Sequence, residues 1–109
     1  MSKLKGAVPH HEAEIAELRQ DRDLAVAYLK AAMESLDDPN QIAGALLALR
    51  TVAEAYGGLR AVAAEAGITR ESLYRALSPK GNPTLKTLLA VIRTVGLRLS
   101  VKAGGEAAA

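Results

Sequence analysis

Apolar side chains recur at helical spacing through most of the chain. In the stretch that follows Asp21 they stand three or four positions apart, which predicts an amphipathic helix capped by Asp21 or Asp23. The same spacing predicts a second, longer helix that starts at Asp38 or Asn40 and ends at Gly57–Gly58. We expect this second helix to be the scaffold of the core. The two stripes consist of Ala25, Leu29, Ala32, Met33 and Leu36, and of Ile42, Leu46, Leu49, Ala53 and Tyr56.

The N-terminal twenty residues carry a weaker pattern. Residues 1–9 show no apolar periodicity and are expected to be unstructured, whereas Ile15 and Leu18 predict a short helix from about His11 to Gln20. His10 and His11 are adjacent, so on a helix they point about 100° apart and do not chelate one metal ion in the usual way. We therefore expect an N-terminal tail with a short helix over residues 1–20, and no metal site.

The stretch from Leu59 to Ser78 has the pattern of a helix-turn-helix. Ala63 is small and lets a second helix approach the first closely. Gly67 stands where the chain has to leave the first helix through a left-handed conformation, which suits glycine. Thr69 is placed to cap the second helix with its hydroxyl. Two short helices that meet in this way present the second one to a DNA groove.

The second helix of this motif has an apolar and a polar side. Leu73 and Leu77 lie one turn apart and return to the core. The opposite side combines arginine with other hydrogen-bonding groups, as contact with base edges and phosphates requires. An αα-hairpin with a solvated outer face explains the same pattern, so DNA binding is at this point a hypothesis. The outward residues are Arg70, Glu71, Tyr74 and Arg75.

A turn-rich loop and one more helix follow. In the loop Ser78–Pro83, Lys80 and Asn82 are placed to donate to phosphates beside the groove, although a simply solvated loop explains them equally well. Thr84 can cap a helix whose apolar side contains Leu85, Leu88, Leu89 and Ile92 and which closes at Gly96.

Residues 97–102 alternate between apolar and polar, which is the period of a β-strand. A lone strand is not stable, so we expect this one to pair with its copy in a second subunit. Leu97, Leu99 and Val101 would then form the dimer contact. Residues 103–109 are expected to be a disordered tail.

Charge divides the chain into two parts. The net charge is only +2, but residues 1–57 hold six Lys/Arg against nine Asp/Glu, and residues 58–102 hold eight against two. The basic part contains the helix-turn-helix, as a phosphate-binding surface requires. The acidic part would be repelled by DNA and suits a basic protein partner.

Composition narrows the fold and excludes several functions. The 109 residues suffice for one compact domain, which we assign to residues 21–102, and abundant Ala and Leu favour an all-α fold. Cysteine is absent, so disulfides and thiolate metal sites are excluded. Without a bilayer-length apolar run or a signal peptide, we expect a cytoplasmic protein. The absence of a glycine-rich phosphate loop and of a carboxylate pair argues against an enzyme or a cofactor.

The run from Gly67 to Leu85 contains the loop Ser78-Pro79-Lys80-Gly81-Asn82-Pro83 after the second helix, and this loop is its specific part, since a helix-turn-helix alone matches many regulators. Together with Gly96–Val101, and more weakly with residues 24–29 and 39–43, this run resembles the addiction-module antidote proteins, which are HigA-type antitoxins. The resemblance implies an all-α bundle of five to six helices with a helix-turn-helix of the phage-repressor class. It also implies a protein that neutralises a RelE/ParE-like toxin and represses its own operon as a dimer.

The resemblance further implies roles for single residues. Base reading falls to Arg70, Glu71 and Arg75, with Tyr74 beside them. Two other functions remain compatible with the sequence: a stand-alone helix-turn-helix repressor, and a protein-interaction module that has lost DNA binding. The residues implied to anchor phosphates are Thr69, Ser72, Lys80 and Asn82.

Overall fold

The computed structural model describes residues 2–104, with side chains described from residue 11 onward. The described part is all-helical, as predicted, and it contains no β-strand. No single helix in it is long and apolar enough to cross a membrane; the third and fourth helices pass that test only as a pair, with a bend of 106° between them. The helices are α1 (Ser2–Gln20), α2 (Arg22–Glu34), α3 (Ile42–Ala55), α4 (Gly58–Ala66), α5 (Arg70–Ala76) and α6 (Leu85–Thr94).

The central helix of the fold is α3, which packs against α1, α2, α4 and α6. Its predicted apolar stripe is confirmed: Leu46, Leu49 and Ala53 are fully buried. The predicted start of α2 is also confirmed, because the Asp21 carboxylate accepts a hydrogen bond of 3.0 Å from the backbone N–H of Leu24. Burial of these aliphatic side chains supplies most of the driving force for the fold.

Two helix starts differ from the prediction. The backbone is helical from Ser2, although residues 1–9 were expected to be unstructured; Met1 lies outside the described residues. A segment without apolar periodicity has no apolar face to bury, but its backbone can still form a helix. The third helix starts at Ile42 rather than at Asp38 or Asn40, because Asp38 caps a separate turn by accepting a 2.9 Å hydrogen bond from the N–H of Asn40.

Two arginines at the junction of α1 and α2 tie this end of the chain to the ends of other helices. The Arg19 guanidinium donates to the backbone carbonyls of Ala55 (3.1 Å) and Glu54 (3.3 Å) at the end of α3. Arg22 donates twice to the carbonyl of Val95, at 2.8 and 3.2 Å, just after α6. Cations at these positions satisfy carbonyls that have no partner within their own helix. Both contacts join residues distant in sequence, and spacing gives no indication of them.

The strand predicted over residues 97–102 is not seen in the single chain, and its pairing with a second copy stays a prediction. This segment forms no ladder; it crosses α2 and α6, and the Lys102 ammonium lies 2.7 Å from the Glu34 carboxylate. A strand is defined by its pairing, and the described part of one chain offers no second strand for it. Leu99 and Val101 are 48% and 94% exposed, so the apolar side of the segment is left largely uncovered. Residues 105–109 of the expected tail lie outside the described residues.

The hydrogen bond between Tyr28 and Glu14 of α1 predicts that the stability of the fold depends on pH. The Tyr28 hydroxyl donates to the Glu14 carboxylate, and burial, followed by this hydrogen bond and the charge of Glu14, raises the pKa of Tyr28 from 10.0 to about 12. The folded state therefore keeps a proton that the unfolded state loses, so this contribution to stability is complete below pH 10 and is lost towards pH 12. In urea unfolding, we expect wild type to lose stability over this range more steeply than Tyr28→Phe; parallel curves would contradict the assignment.

Candidate nucleic-acid interface

The two helices and the tight turn predicted for residues 59–78 are present. The first of them, α4, is capped at its C-terminus by Gly67, which has φ 73° and ψ 28° and is therefore left-handed. The N–H of Ile68 closes the turn on the carbonyl of Ala63 at 3.0 Å. Thr69 then caps α5, because its hydroxyl oxygen accepts a 3.0 Å hydrogen bond from the N–H of Ser72. The short turn and both caps fix where α5 begins.

The two sides of α5 are separated as the sequence predicts. Leu73 and Leu77 have no exposed surface, so they anchor the helix in the core. The opposite side is open to solvent, and the Tyr74 ring is 50% exposed. Leu59 from the start of α4 joins this side and was not anticipated there. The residues that line the resulting shallow groove are Leu59, Arg70, Glu71, Tyr74 and Arg75.

The cations on this face have no carboxylate partner among the described side chains. Ion pairs within 4.0 Å in that part of the chain are His11–Glu14, His11–Glu54 and Lys102–Glu34. Glu71 lies one turn before Arg75 but does not pair with it. The guanidinium groups of Arg70 and Arg75 thus keep their hydrogen-bond donors for an external acceptor.

The two hydroxyls at the start of α5 play different parts. The proton of the Thr69 hydroxyl is engaged, since the group donates to the Ser72 oxygen at 3.0 Å and also accepts from the N–H of Ser72. The Ser72 hydroxyl accepts that bond, so its own proton remains available for an outside oxygen. Thr69 therefore positions Ser72, and the two predicted phosphate anchors form one unit.

The loop after α5 is fastened to the end of that helix. The Ser78 hydroxyl donates to the carbonyl of Arg75 at 2.7 Å, and the N–H of Gly81 donates to the carbonyl of Ser78 at 2.8 Å. These bonds close a turn that leaves Lys80 and Asn82 exposed. The two side chains therefore stand in a loop adjoining the carboxyl end of α5, and both are free to donate.

Two basic residues near this face were missed by the sequence analysis. The Arg50 guanidinium carbon on α3 lies 4.5 Å from the centroid of the Tyr74 ring, which is a cation–π contact. The Lys86 ammonium on α6 lies beside the α4–α5 turn, 3.2 Å from where a Cβ on Gly67 would stand. Both come from helices outside the motif, and only tertiary packing brings them to it.

The three residues predicted for dimerisation lie in a separate groove. Leu97, Leu99 and Val101 line a mostly apolar groove together with side chains of α2 and α6, among them Met33 and Ile92. Leu97 is half-buried and packs against the core, whereas the other two are exposed. The structure thus brings these residues together on one surface, away from the groove on α5.

Comparison with known proteins relates most of this structure to one family. A family model described as "Probable addiction module antidote protein" matches residues 10–103, a range that includes all of α2 to α6. A protein of Haemophilus influenzae described as an uncharacterized protein is 46% identical over 41 residues, which are 38% of this chain and 42% of the relative. The chain thus spans less than half the length of this curated relative. No solved structure matches the chain.

Proposed function

The chain belongs to the family of probable addiction module antidote proteins, and on this premise we propose that it is an antitoxin that also binds the DNA of its own operon. The observation that supports DNA binding most strongly is the outer face of α5, where Arg70 and Arg75 are exposed and have no described carboxylate partner. In this proposal α4 and α5 act as a helix-turn-helix of the phage-repressor class.

Base reading is assigned to the outer face of α5. A guanidinium can donate two parallel hydrogen bonds to the O6 and N7 of guanine, so Arg70 and Arg75 each contribute about 1–3 kcal/mol of discrimination. Glu71 can accept from a cytosine amino group, and its lack of an ion pair with Arg75 favours this role over one within the helix. Tyr74 adds an apolar ring between them.

Phosphate contacts are assigned to groups at the two ends of α5. Ser72, which Thr69 positions, stands at its start, and Lys80 and Asn82 stand in the loop after its end. Contacts to phosphates fix the position of the protein on the duplex and contribute affinity that depends on salt and not on sequence. Lys86, beside the α4–α5 turn, extends this set.

A second copy of the chain completes the proposed repressor. Two α5 helices would enter successive major grooves about 34 Å apart on one face of the duplex. We assign the contact between the copies to Leu97, Leu99 and Val101, because their segment alternates like a strand and has no partner strand within the described chain.

Removal of the chain from Leu97 onward is expected to convert the dimer to a monomer, since it deletes the proposed contact. Mass in solution, measured by light scattering over a range of concentrations, is the readout. Far-ultraviolet circular dichroism serves as the control for helix content. A truncated protein that stays helical and keeps the dimer mass of the full chain would contradict the assignment.

The proposed toxin is a small basic protein of the RelE/ParE-like kind, encoded next to this chain and neutralised in the cytoplasm. The acidic balance of residues 1–57 suits a basic partner.

Co-expression tests the role: the product of the adjacent reading frame should arrest growth alone, and growth should resume when this chain is supplied. If nothing in the neighbouring frame is toxic but the chain shifts short duplexes at low salt, it is a stand-alone repressor. If it rescues growth without any shift, it is a protein-interaction module.

A further inference from the structure

We propose that Arg50 of α3 is a positioning residue for DNA reading, which acts by holding the ring of Tyr74 at the centre of the α5 face. The inference rests on the proposed DNA binding and goes beyond it. It assigns part of the sequence preference to a residue that is outside the helix-turn-helix and does not itself contact a base.

The contact itself is specific. The guanidinium carbon of Arg50 lies 4.5 Å from the Tyr74 ring centroid, well within the distance at which a cation is attracted by the face of an aromatic ring. Arg50 has no described hydrogen-bond or carboxylate partner that would draw the guanidinium elsewhere. The ring is therefore the group towards which its charge is directed.

Arg50 is carried by α3, the central helix of the fold. Its neighbours Leu49 and Thr51 are 0% and 6% exposed, so the backbone at this position is fixed by the core on both sides. The Arg50 side chain extends from this fixed backbone to Tyr74 and thereby restricts the position of the ring. The contact links α3 and α5 through two residues that are 24 positions apart in sequence.

Tyr74 needs such support because of where it lies. It is half exposed on a helix of only seven residues, and it lines the same groove as Arg70, Arg75 and Leu59. A half-exposed ring keeps rotamer freedom that has to be lost when DNA binds. With Arg50 against one face, the ring is ordered beforehand, and the arginines on either side have a fixed neighbour.

Salt dependence and sequence preference distinguish a positioning role of Arg50 from direct contact with phosphate. An arginine that neutralises a phosphate changes the salt dependence of binding to every duplex, whereas one that orders Tyr74 changes the preference between duplexes. The two roles therefore predict different results for the same substitution, and the variant Arg50→Gln separates them.

The test uses the full chain and a duplex that wild type selects from a randomised pool, with a scrambled duplex as the non-specific probe. We compare wild type, Arg50→Gln, Arg50→Lys, Tyr74→Leu and the double variant Arg50→Gln/Tyr74→Leu by fluorescence anisotropy at several salt concentrations. Arg50→Gln should lower the preference for the selected duplex by about two- to fivefold, as expected for an exposed cation–π contact. Arg50→Lys should retain part of it, and the double variant should match Tyr74→Leu.

The outcomes separate this inference from the proposed function. If wild type selects no duplex, DNA binding is refuted and the role of Arg50 with it. If wild type binds but Arg50→Gln keeps its preference, adds its effect fully to that of Tyr74→Leu, or lowers the salt slope by about one, the positioning role alone is wrong. A preference that falls at unchanged salt slope supports it, because a merely structural contact would shift the thermal midpoint and leave the preference between duplexes unchanged.

Discussion

Gly81→Ala is expected to destabilise the protein by about 2–3 kcal/mol, the upper range for overpacking in a closely packed site. A Cβ at this position would stand 2.1 Å from the carbonyl oxygen of Ala76 and 2.4 Å from that of Arg75. Both atoms belong to the backbone of α5, so no side-chain rotation relieves the contact. The loop or the end of the helix has to move.

The same substitution is expected to weaken DNA binding, because the loop that moves carries Lys80 and Asn82. Chemical denaturation measures the loss of stability, and anisotropy with the selected duplex measures the loss of binding. Gly44→Ala is the matched control: its Cβ would meet nothing within 4 Å, and alanine is favoured over glycine inside a helix by about 0.5–1 kcal/mol. Equal unfolding midpoints for Gly81→Ala and wild type would contradict the close approach.

The double variant Arg70→Ala/Arg75→Ala is expected to bind the selected duplex about a hundredfold more weakly than wild type. Each guanidinium that reads a guanine contributes about 1–3 kcal/mol to binding of the correct base. Neither guanidinium forms an ion pair with a described carboxylate, so both are available to the bases. Both side chains are exposed, so their removal leaves the core intact. Binding to the scrambled duplex should fall far less.

Lys80→Ala provides the comparison for this result. It removes one charge from the loop after α5, and we expect it to weaken binding to the selected and scrambled duplexes alike and to reduce the salt slope by about one. If the double arginine variant shows this same uniform loss, its arginines contact phosphates and the assignment of base readers is wrong. If its affinity is unchanged, α5 does not face DNA.

Much of the fold follows from local patterns in the sequence. The caps at Asp21, Thr69 and Thr84 each accept the backbone hydrogen bond expected of a helix start. The left-handed glycine at the α4–α5 turn and the buried leucines of α5 likewise follow from spacing. These features depend on residues within one or two helical turns, and for that reason the sequence alone is sufficient to predict them.

The features that were missed depend on contacts between distant segments. Three arginines contact groups far away in sequence, and nothing in their spacing predicts these contacts. The separations are 36 residues for Arg19, 73 for Arg22 and 24 for Arg50. The strand expected at residues 97–102 needs a second chain, since alternation specifies which side is apolar but not what pairs with it. The roles of the α5 residues stay predictions. The structure shows that these side chains are exposed and that the arginines have no described ion pair, whereas DNA as their ligand is inferred from the chemistry of the side chains.

The measurement that tests the central claim most directly is the change in backbone amide chemical shifts when isotope-labelled protein is titrated with the selected duplex. If the outer face of α5 reads DNA, the largest changes should fall at residues 69–77 and in the loop 78–83, with smaller ones near Arg50 and Lys86. Changes confined to α1 and α2, with α5 unaffected at saturation, would contradict the account.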